Sequence, residues 1–157
     1  MSESADTLSF EEIVEEYYRD IYKLAFIMMK DRNSAEDVTQ ETFLKAKRYL
    51  NNFKNTSSIK TWLYRIAMNE VKNFIKQSEK FRNAKPKYKP FAKDDFSNIR
   101  KAMEQLDRQS YEVLFFKYFK NLTDKEIAFI LNIPEGTVKS RLHSAKEKLK
   151  EVLKNGG

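Results

Sequence analysis

Polar and small side chains recur along one face of a predicted helix near the C-terminus. At about 100° per residue, this face lies opposite the apolar stripe of Val138, Leu142 and Ala145. It carries Gly136, Thr137, Ser140, His143, Ser144 and Glu147, with Arg141 on its flank. An arginine can bond guanine through two nitrogens, short hydroxyls can bind phosphates, and a glycine leaves room for DNA to approach closely. The face therefore favours DNA recognition, with an ordinary helical hairpin and a solvated face as the alternative.

The residue inventory argues against catalysis. The chain of 157 residues has no cysteine and one histidine, which excludes thiolate chemistry, cysteine-ligated zinc and multi-histidine metal clusters. No set of nucleophile, base and orienting group can be assembled around His143, which we expect to be a surface or phosphate-contacting residue. Gly136 is the one glycine before the terminal pair, so a glycine-rich phosphate loop cannot form. We predict no enzyme activity, no metal and no cofactor, and a small hydrolase is disfavoured.

The net charge of +7 is distributed unevenly along the chain. Residues 1–41 contain four basic and eleven acidic side chains, whereas residues 42–93 contain fourteen basic and two acidic ones. A second basic tract, with six basic and two acidic side chains, lies at 137–157. Two basic tracts predict an anionic polymer bound at two places, and the acidic head predicts a different partner.

Aromatic residues are interleaved with the first basic tract. Because aromatic rings can stack on exposed bases beside phosphate-binding lysines, this mixture favours nucleic acid over a merely solvated surface. These residues are Trp62, Tyr64, Phe74, Phe81 and Tyr88.

Helical periodicity and the scarcity of glycine and proline predict an all-α fold. The first helix is expected over 10–28. Ser34 is the expected N-cap of a second helix over 35–50. A polar loop over 51–58 and a third helix over 59–75 complete an N-terminal helical bundle. The longest apolar run, at 24–29, is far too short to cross a membrane.

A flexible basic linker is expected after the bundle, because residues 77–93 contain two prolines, six basic residues and few aliphatic ones. Beyond it, apolar stripes predict helices near 96–106 and 111–119. Asn121 can end a helix in the left-handed conformation, and Thr123 with Glu126 forms a capping box for a short helix. A turn at Pro134 then leads into a helix over 135–154. This short helix, turn and longer helix have the form of a helix-turn-helix.

Three segments of the sequence resemble the conserved segments of extracytoplasmic-function (ECF) sigma factors, which are two-domain members of the sigma-70 family. They are SAEDVTQETF at 34–43, TWLYRIAMN at 61–69 and IPEGTVKSRL at 133–142. The resemblance covers residues 10–153 in the family's order. It implies two small helical domains: a region 2-like domain at 1–76, a linker at 77–95, and a region 4-like helix-turn-helix domain at 96–157.

The resemblance implies contact residues for three surfaces. Core RNA polymerase would bind Asp37, Gln40, Glu41 and Phe43. The downstream (−10) promoter element, as single-stranded DNA, would bind Phe53, Lys54, Asn55, Ser58, Lys60, Arg65 and Asn69. The upstream (−35) element, as double-stranded DNA, would bind Glu135, Gly136, Thr137, Lys139, Ser140, Arg141, His143 and Ser144. Trp62 is expected in the hydrophobic core rather than as a stacking platform, because its spacing from Ile66 is typical of an inward face.

Three positions depart from the family's usual residues. Met68 stands where an arginine is frequent, Asn73 where an aspartate is frequent, and Asn132 where a glycine is frequent. Asparagine accepts the left-handed backbone region that the glycine would adopt at position 132.

The function implied by the resemblance is that of a cytoplasmic, monomeric sigma factor that binds core polymerase and directs promoter-specific transcription initiation. The resemblance also implies an anti-sigma factor, often membrane-associated, that keeps the protein inactive. The alternative is a conventional dimeric helix-turn-helix regulator that binds double-stranded operators without polymerase, with residues 1–80 as a dimerisation or ligand domain.

Overall fold

The computed structural model describes residues 8–53, 57–77 and 97–155. Across these ranges the ordered elements are all helical, so the all-α prediction is confirmed. The chain divides into two compact units, residues 1–89 and 90–157. The predicted linker at 77–95 falls almost wholly outside the described residues. None of the described helices is both long enough and apolar enough to span a bilayer.

In its described residues the first unit has three helices, which pack against one another. They are α1 (Phe10–Met29), α2 (Arg32–Tyr49) and α3 (Ile59–Gln77), with a single 3-10 turn at Leu50–Asn52 after α2. Their apolar stripes meet in one hydrophobic core, as the periodicity predicts. Its fully buried side chains include Ile13, Ile21, Leu24, Val38, Leu63, Met68 and Val71.

The start of α2 differs from the sequence-based expectation. Lys30 adopts the left-handed conformation at φ 59°, and the chain re-enters a helix directly after it. The Asp31 carboxylate accepts the Ser34 backbone N–H at 2.8 Å, so Asp31 is the N-cap and Ser34 lies buried in the first turn. The prediction of Ser34 as the cap is therefore wrong. A carboxylate also interacts more favourably than a hydroxyl with the positive end of the helix dipole.

An ion pair joins α2 to α3. Lys45 donates from Nζ to Glu70 Oε2, and Glu70 is only 4% exposed. An unpaired carboxylate at such a site would carry a large desolvation cost, so Lys45 is required to offset the burial of Glu70.

Four helices lie in the part of the second unit that the structure describes, residues 97–155. They are α4 (Ser97–Met103), α5 (Arg108–Leu114, continued by a π-helical segment at Phe115–Phe119), α6 (Asp124–Leu131) and α7 (Glu135–Lys154). The long helix α7 packs against α4, α5 and α6, which gives the unit its hydrophobic core. The fully buried side chains here include Val113, Phe116, Ile127, Ile130 and Val138.

The caps of the helix-turn-helix are those that the sequence predicts. Thr123 and Glu126 form a reciprocal capping box, with their two hydrogen bonds at 2.9 and 3.1 Å. Asn121 and Asn132 both adopt positive φ, at 56° and 58°. Asparagine tolerates this region because its short polar side chain can bond locally. The turn into α7 is therefore formed with asparagine in place of the family's frequent glycine.

Candidate functional site

The start of α7 presents the polar face that the sequence predicts. Val138, Leu142 and Ala145 are buried, and Pro134 occupies the N-cap position. On the other side of the helix Glu135, Gly136, Lys139, Ser140, His143 and Ser144 are exposed, while Thr137 and Arg141 are half-buried. All eight residues of the predicted upstream DNA surface thus lie within the first three turns, and none of them is in the hydrophobic core.

Gly136 opens this face to close approach. A Cβ atom placed on Gly136 would meet no other heavy atom within 4 Å. The neighbouring polar side chains interact within the same helix. Ser140 Oγ donates to the Thr137 carbonyl at 3.1 Å. Lys139 Nζ lies 3.9 Å from the Glu135 carboxylate. The exposed backbone and short side chains of this turn suit a helix that enters the major groove.

The start of α3 differs from the prediction at Trp62, and Ser58 has a structural role there. Trp62 is half-buried rather than a core residue, and its ring lies 5.0 Å from the Phe53 ring at a tilt of 42°. Ser58 caps α3, because its hydroxyl accepts the Thr61 backbone N–H at 3.0 Å and donates to Thr61 Oγ1 at 2.9 Å. The Ser58 hydroxyl proton is therefore already engaged within the protein. Two further predicted contacts, Lys54 and Asn55, lie outside the described residues.

The remaining predicted contacts on α3 do not share one face. Lys60 and Asn69 are exposed and Arg65 is half-buried. At about 100° per residue, Arg65 and Asn69 are about 40° apart around the helix, whereas Lys60 lies about 180° from Asn69. Lys60 instead faces α1, where its Nζ lies 3.6 Å from Asp20 Oδ2.

A basic stripe on α3 extends the Arg65 and Asn69 pair. Lys72 and Lys76 are exposed and follow Asn69 at spacings of three and seven residues, which place them on the same helical face. Composition alone did not single out these lysines from the other basic residues of the tract. The i, i+4, i+7, i+11 spacing from Arg65 is the signal that identifies them.

A buried tyrosine with a hydrogen-bonded hydroxyl lies beside Lys60. Tyr64 is 1% exposed, and its hydroxyl donates to Asp20 Oδ2 at 2.6 Å. Burial, together with this hydrogen bond and the charge of Asp20, raises the pKa of Tyr64 well above its ordinary value. Tyr64 therefore stays neutral and acts as a hydrogen-bond donor to Asp20.

The predicted polymerase-binding residues of α2 are only partly brought together. Asp37 and Gln40 are exposed and Glu41 is half-buried on the same face. Phe43 does not belong to this surface, since it is 5% exposed and its ring stacks on Tyr18 at 5.7 Å. Position 43 turns inward with Thr39 and Ala46, so the side chain packs inside the unit.

Leu44 is an exposed apolar residue on α2 that the sequence did not single out. It is 58% exposed, and it follows Asp37 and Gln40 at spacings of seven and four residues on the same face. A leucine this exposed, with acidic and amide neighbours, is typical of a contact for another protein.

An apolar groove of about 410 Å³ lies in the second unit between α4, α5 and the end of α7. Its apolar lining is Ile99, Met103, Leu114, Tyr118, Phe119, Leu149 and Leu153. Lys146 and Lys150 also border it, and a hydrogen bond with Tyr118 raises the pKa of Lys146. The sequence did not predict this groove, and two of its lining residues, Tyr118 and Phe119, lie in the π-helical segment.

Metal-binding clusters of three or more histidine or acidic residues do not occur in the part of the chain that the structure describes. The surfaces above present hydrogen-bond donors, positive charge and apolar side chains.

Two family matches cover most of the chain. Sigma-70 region 2 matches residues 13–81, and Sigma-70, region 4 matches residues 96–149. Among curated relatives, the ECF RNA polymerase sigma factor SigW of Bacillus subtilis is 32% identical over 96% of this chain and 91% of its own length. SigM of the same organism is 29% identical over 95% of this chain and 98% of its own length.

Two solved structures share the fold. The sigma factor RpoE of Bartonella quintana, solved in complex with the anti-sigma factor NepR, has a TM-score of 0.71 and 22% identity, and the match covers 94% of this chain and 98% of that one. CnrH, solved in complex with the cytosolic domain of CnrY, has a TM-score of 0.69 and 21% identity, with 94% and 89% covered.

Proposed function

The chain belongs to the ECF sigma factors of the sigma-70 family, and from this membership we propose how its surfaces act in transcription. It is an RNA polymerase sigma factor, which binds core polymerase and directs promoter-specific initiation. The observation that carries this function is the occurrence of regions 2 and 4, in the family's order, in one chain of two helical units. A dimeric operator-binding regulator is not favoured, because it gives no account of region 2 at residues 13–81.

The domain roles follow the two regions. We assign residues 1–76 to polymerase binding and to the −10 element, 77–95 to the linker, and 96–157 to the −35 element. The family is non-catalytic, and no catalytic role is proposed for this chain. We place its action in the cytoplasm, where core polymerase and promoter DNA are found.

The polymerase-binding surface is proposed on α2. Asp37, Gln40 and Glu41 supply two acids and an amide for a basic partner surface, as charge complementarity requires. The exposed Leu44 adds an apolar anchor to the same face. Phe43 is omitted because its side chain is buried.

The −10 surface is proposed at the start and along the outer face of α3. Phe53 and the half-buried Trp62 offer aromatic rings near the loop, and Lys60 lies at the helix start on the side that faces α1. The stripe of Arg65, Asn69, Lys72 and Lys76 offers donors and positive charge for the phosphate backbone. Strand separation costs a few kcal/mol per extruded base. Stacking on the aromatic rings and contacts of the stripe with phosphates must together offset this cost.

The −35 surface is proposed on the first three turns of α7. Arg141 is the candidate for reading a base edge, since arginine bonds guanine in bidentate fashion. The short side chains and Gly136 allow the helix backbone to lie close to the groove. Glu135, Lys139, His143 and Ser144 complete the surface as phosphate or base contacts.

An anti-sigma factor is proposed as the negative regulator. It would act by covering the polymerase-binding and DNA-binding faces. The groove between α4, α5 and α7 suits an apolar segment with acidic residues, because its lining is apolar and lysines border it.

Promoter binding with and without core polymerase tests the proposed function. We expect the free protein to sediment as a monomer and to bind promoter fragments weakly. Tight, sequence-specific binding is expected only after core polymerase is added. Each of the two units binds weakly by itself, and binding of one raises the effective concentration of the other at its site. A stable dimer that binds specific double-stranded DNA equally well without polymerase would support the regulator instead.

A further inference from the structure

Three side chains from two helices meet at the start of α3. Asp20 lies on α1, and its Oδ2 atom accepts the Tyr64 hydroxyl at 2.6 Å. The same oxygen lies 3.6 Å from Lys60 Nζ. Lys60 Nζ in turn lies 5.8 Å from the centre of the Tyr64 ring. One carboxylate oxygen therefore contacts a buried donor and a surface cation together.

The charge of Lys60 is unfavourably placed with respect to its own helix. The first turn of α3 contains no acidic residue, and the N-terminal end of a helix carries partial positive charge. A lysine there is repelled, and it would extend into solvent in many rotamers. Asp20 supplies from a neighbouring helix the anion that the first turn of α3 lacks.

The Asp20 carboxylate is itself held in place. Tyr64 is 1% exposed, so its ring cannot move without disturbing the core of the unit. Its hydroxyl donates a short hydrogen bond to Asp20, and hydrogen bonds to a charged acceptor are stronger than neutral ones. The position of the carboxylate is thus determined by the packed interior.

We propose that Asp20 is a positioning residue of the −10 surface, which holds the Lys60 ammonium at the start of α3 ready for a phosphate of the separated strand. The inference rests on the proposed DNA contact of Lys60. The lysine side chain remains 50% exposed, and an ammonium has three donors, so it can contact Asp20 and a phosphate together.

Positioning is expected to outweigh the repulsion between Asp20 and phosphate. Fixing the rotamers of one lysine before binding is worth up to roughly tenfold in affinity. The repulsion between the Asp20 carboxylate and the phosphate acts across the lysine and through solvent. It therefore lowers the affinity only about twofold at physiological salt. Asp20 is therefore expected to assist promoter opening.

A double-mutant cycle in the polymerase holoenzyme tests the inference. The variants are Asp20→Asn, Lys60→Ala and the pair together, and the readout is strand opening reported by 2-aminopurine in the −10 element. We expect each single change to lower the opening equilibrium about three- to tenfold, and the double variant to be no worse than Lys60→Ala alone. If Asp20→Asn lowers opening equally in both backgrounds, its role is merely structural and the inference is overturned. The inference is also overturned if Asp20→Asn alone has no effect.

Controls separate this inference from the proposed function. Glu15→Gln removes one exposed acid from the same helix and is expected to leave opening unchanged. Tyr64→Phe keeps the buried ring and removes the donor, so opening should fall in the same direction even if Asp20→Asn folds poorly. If Lys60→Ala has no effect while polymerase-dependent transcription persists, the Lys60 contact and the role of Asp20 both fail, but the sigma function stands.

Discussion

Adjacent residues on α2 have opposite environments, and burial decides their roles. Leu44 is 58% exposed, whereas Phe43 is 5% exposed and stacks on Tyr18. An exposed apolar side chain gains most when a partner covers it, while a buried ring already contributes to the stability of its own unit.

Replacing Leu44 with aspartate tests the α2 surface. We expect the affinity for core polymerase to fall more than tenfold, because a charged side chain would be buried against the partner. The melting temperature should be nearly unchanged, since position 44 faces solvent. Phe43→Ala provides the contrast, with an expected loss of about 3–5 kcal/mol in the free energy of unfolding. Unchanged polymerase affinity in Leu44→Asp would remove this face from the interface.

Replacing Arg141 with alanine tests the recognition helix. We expect the discrimination between matched and mutated −35 elements to fall by about 1–3 kcal/mol in holoenzyme binding, because one bidentate base contact is lost. Lys154→Ala, at the far end of the same helix, removes the same charge and should leave discrimination unaltered. Unchanged promoter preference in Arg141→Ala would show that another residue reads the base.

At the scale of the helices, one partly buried ion pair joins α2 to α3. Lys45→Met leaves the Glu70 carboxylate buried without its partner, so the free energy of unfolding should fall by about 3 kcal/mol in urea titrations. The double variant Lys45→Met/Glu70→Leu should recover to within about 1 kcal/mol of the original chain, since apolar packing replaces both charges. A double variant as unstable as the single one would show that the pair is not replaceable.

A surface ion pair joins the start of α5 to α7. Lys148 donates to Asp107 at 2.9 Å, and Asp107 also caps α5 through Ser110. Burial acts to raise the pKa of Asp107, but the hydrogen bonds from Lys148 and Ser110 outweigh it and lower the pKa to about 2. Because the folded pKa lies below the ordinary 3.8, the stabilisation is present above pH 3.8 and is lost as the pH falls toward 2.

Acid titration of the second unit checks this pair. Asp107→Asn should reduce the stability difference between pH 5 and pH 2.5, and should lower stability at pH 7 by at most about 1 kcal/mol because the pair is half exposed. The readout is the thermal unfolding of α5 and α7 in the full chain, measured through the NMR signals of residues in these two helices. An identical pH dependence in the variant and the original chain would contradict the assignment.

The helix ends show what sequence could and could not predict. Thr123, Asn121 and Asn132 were predictable because capping and left-handed residues act within four positions of the chain. The sequence does not predict Asp31 as the N-cap, because Asp31 and Ser34 are both suitable cap residues within one turn. The structure selects Asp31 because the left-handed residue Lys30 ends α1 directly before it. Ser58 stays a predicted DNA contact, and the structure adds that its hydroxyl caps α3.

At the scale of the whole molecule, periodicity predicts two helical units, but not which neighbours a side chain meets. The position of Asp20 beside Lys60 and Tyr64 depends on the packing of α1 on α3, which spans more than forty residues of sequence. The groove in the second unit is lined in part by a π-helical segment, for which the sequence carries no simple signal. Helical spacing also does not show that Trp62 lies against Phe53, a residue outside the helix, at a half-buried position.

Two basic tracts in one chain also predict a strong dependence of promoter binding on salt. Each phosphate contact releases counterions from the DNA. Contacts made by both units therefore add up, and the slope of log affinity against log salt concentration is steep. Removing Lys72 and Lys76 together should reduce the slope of log affinity against log salt by about 2 in holoenzyme binding to promoter DNA. An unaltered slope would place the α3 stripe away from the DNA backbone.

Run-off transcription with purified core polymerase tests the sigma function most directly. Across a set of promoter-bearing templates, we expect defined transcripts that appear only when this protein is added, and their yield should fall in the Leu44→Asp and Arg141→Ala variants. The contrary result would be the absence of any protein-dependent start site on every template, together with operator binding by a dimer of this chain alone.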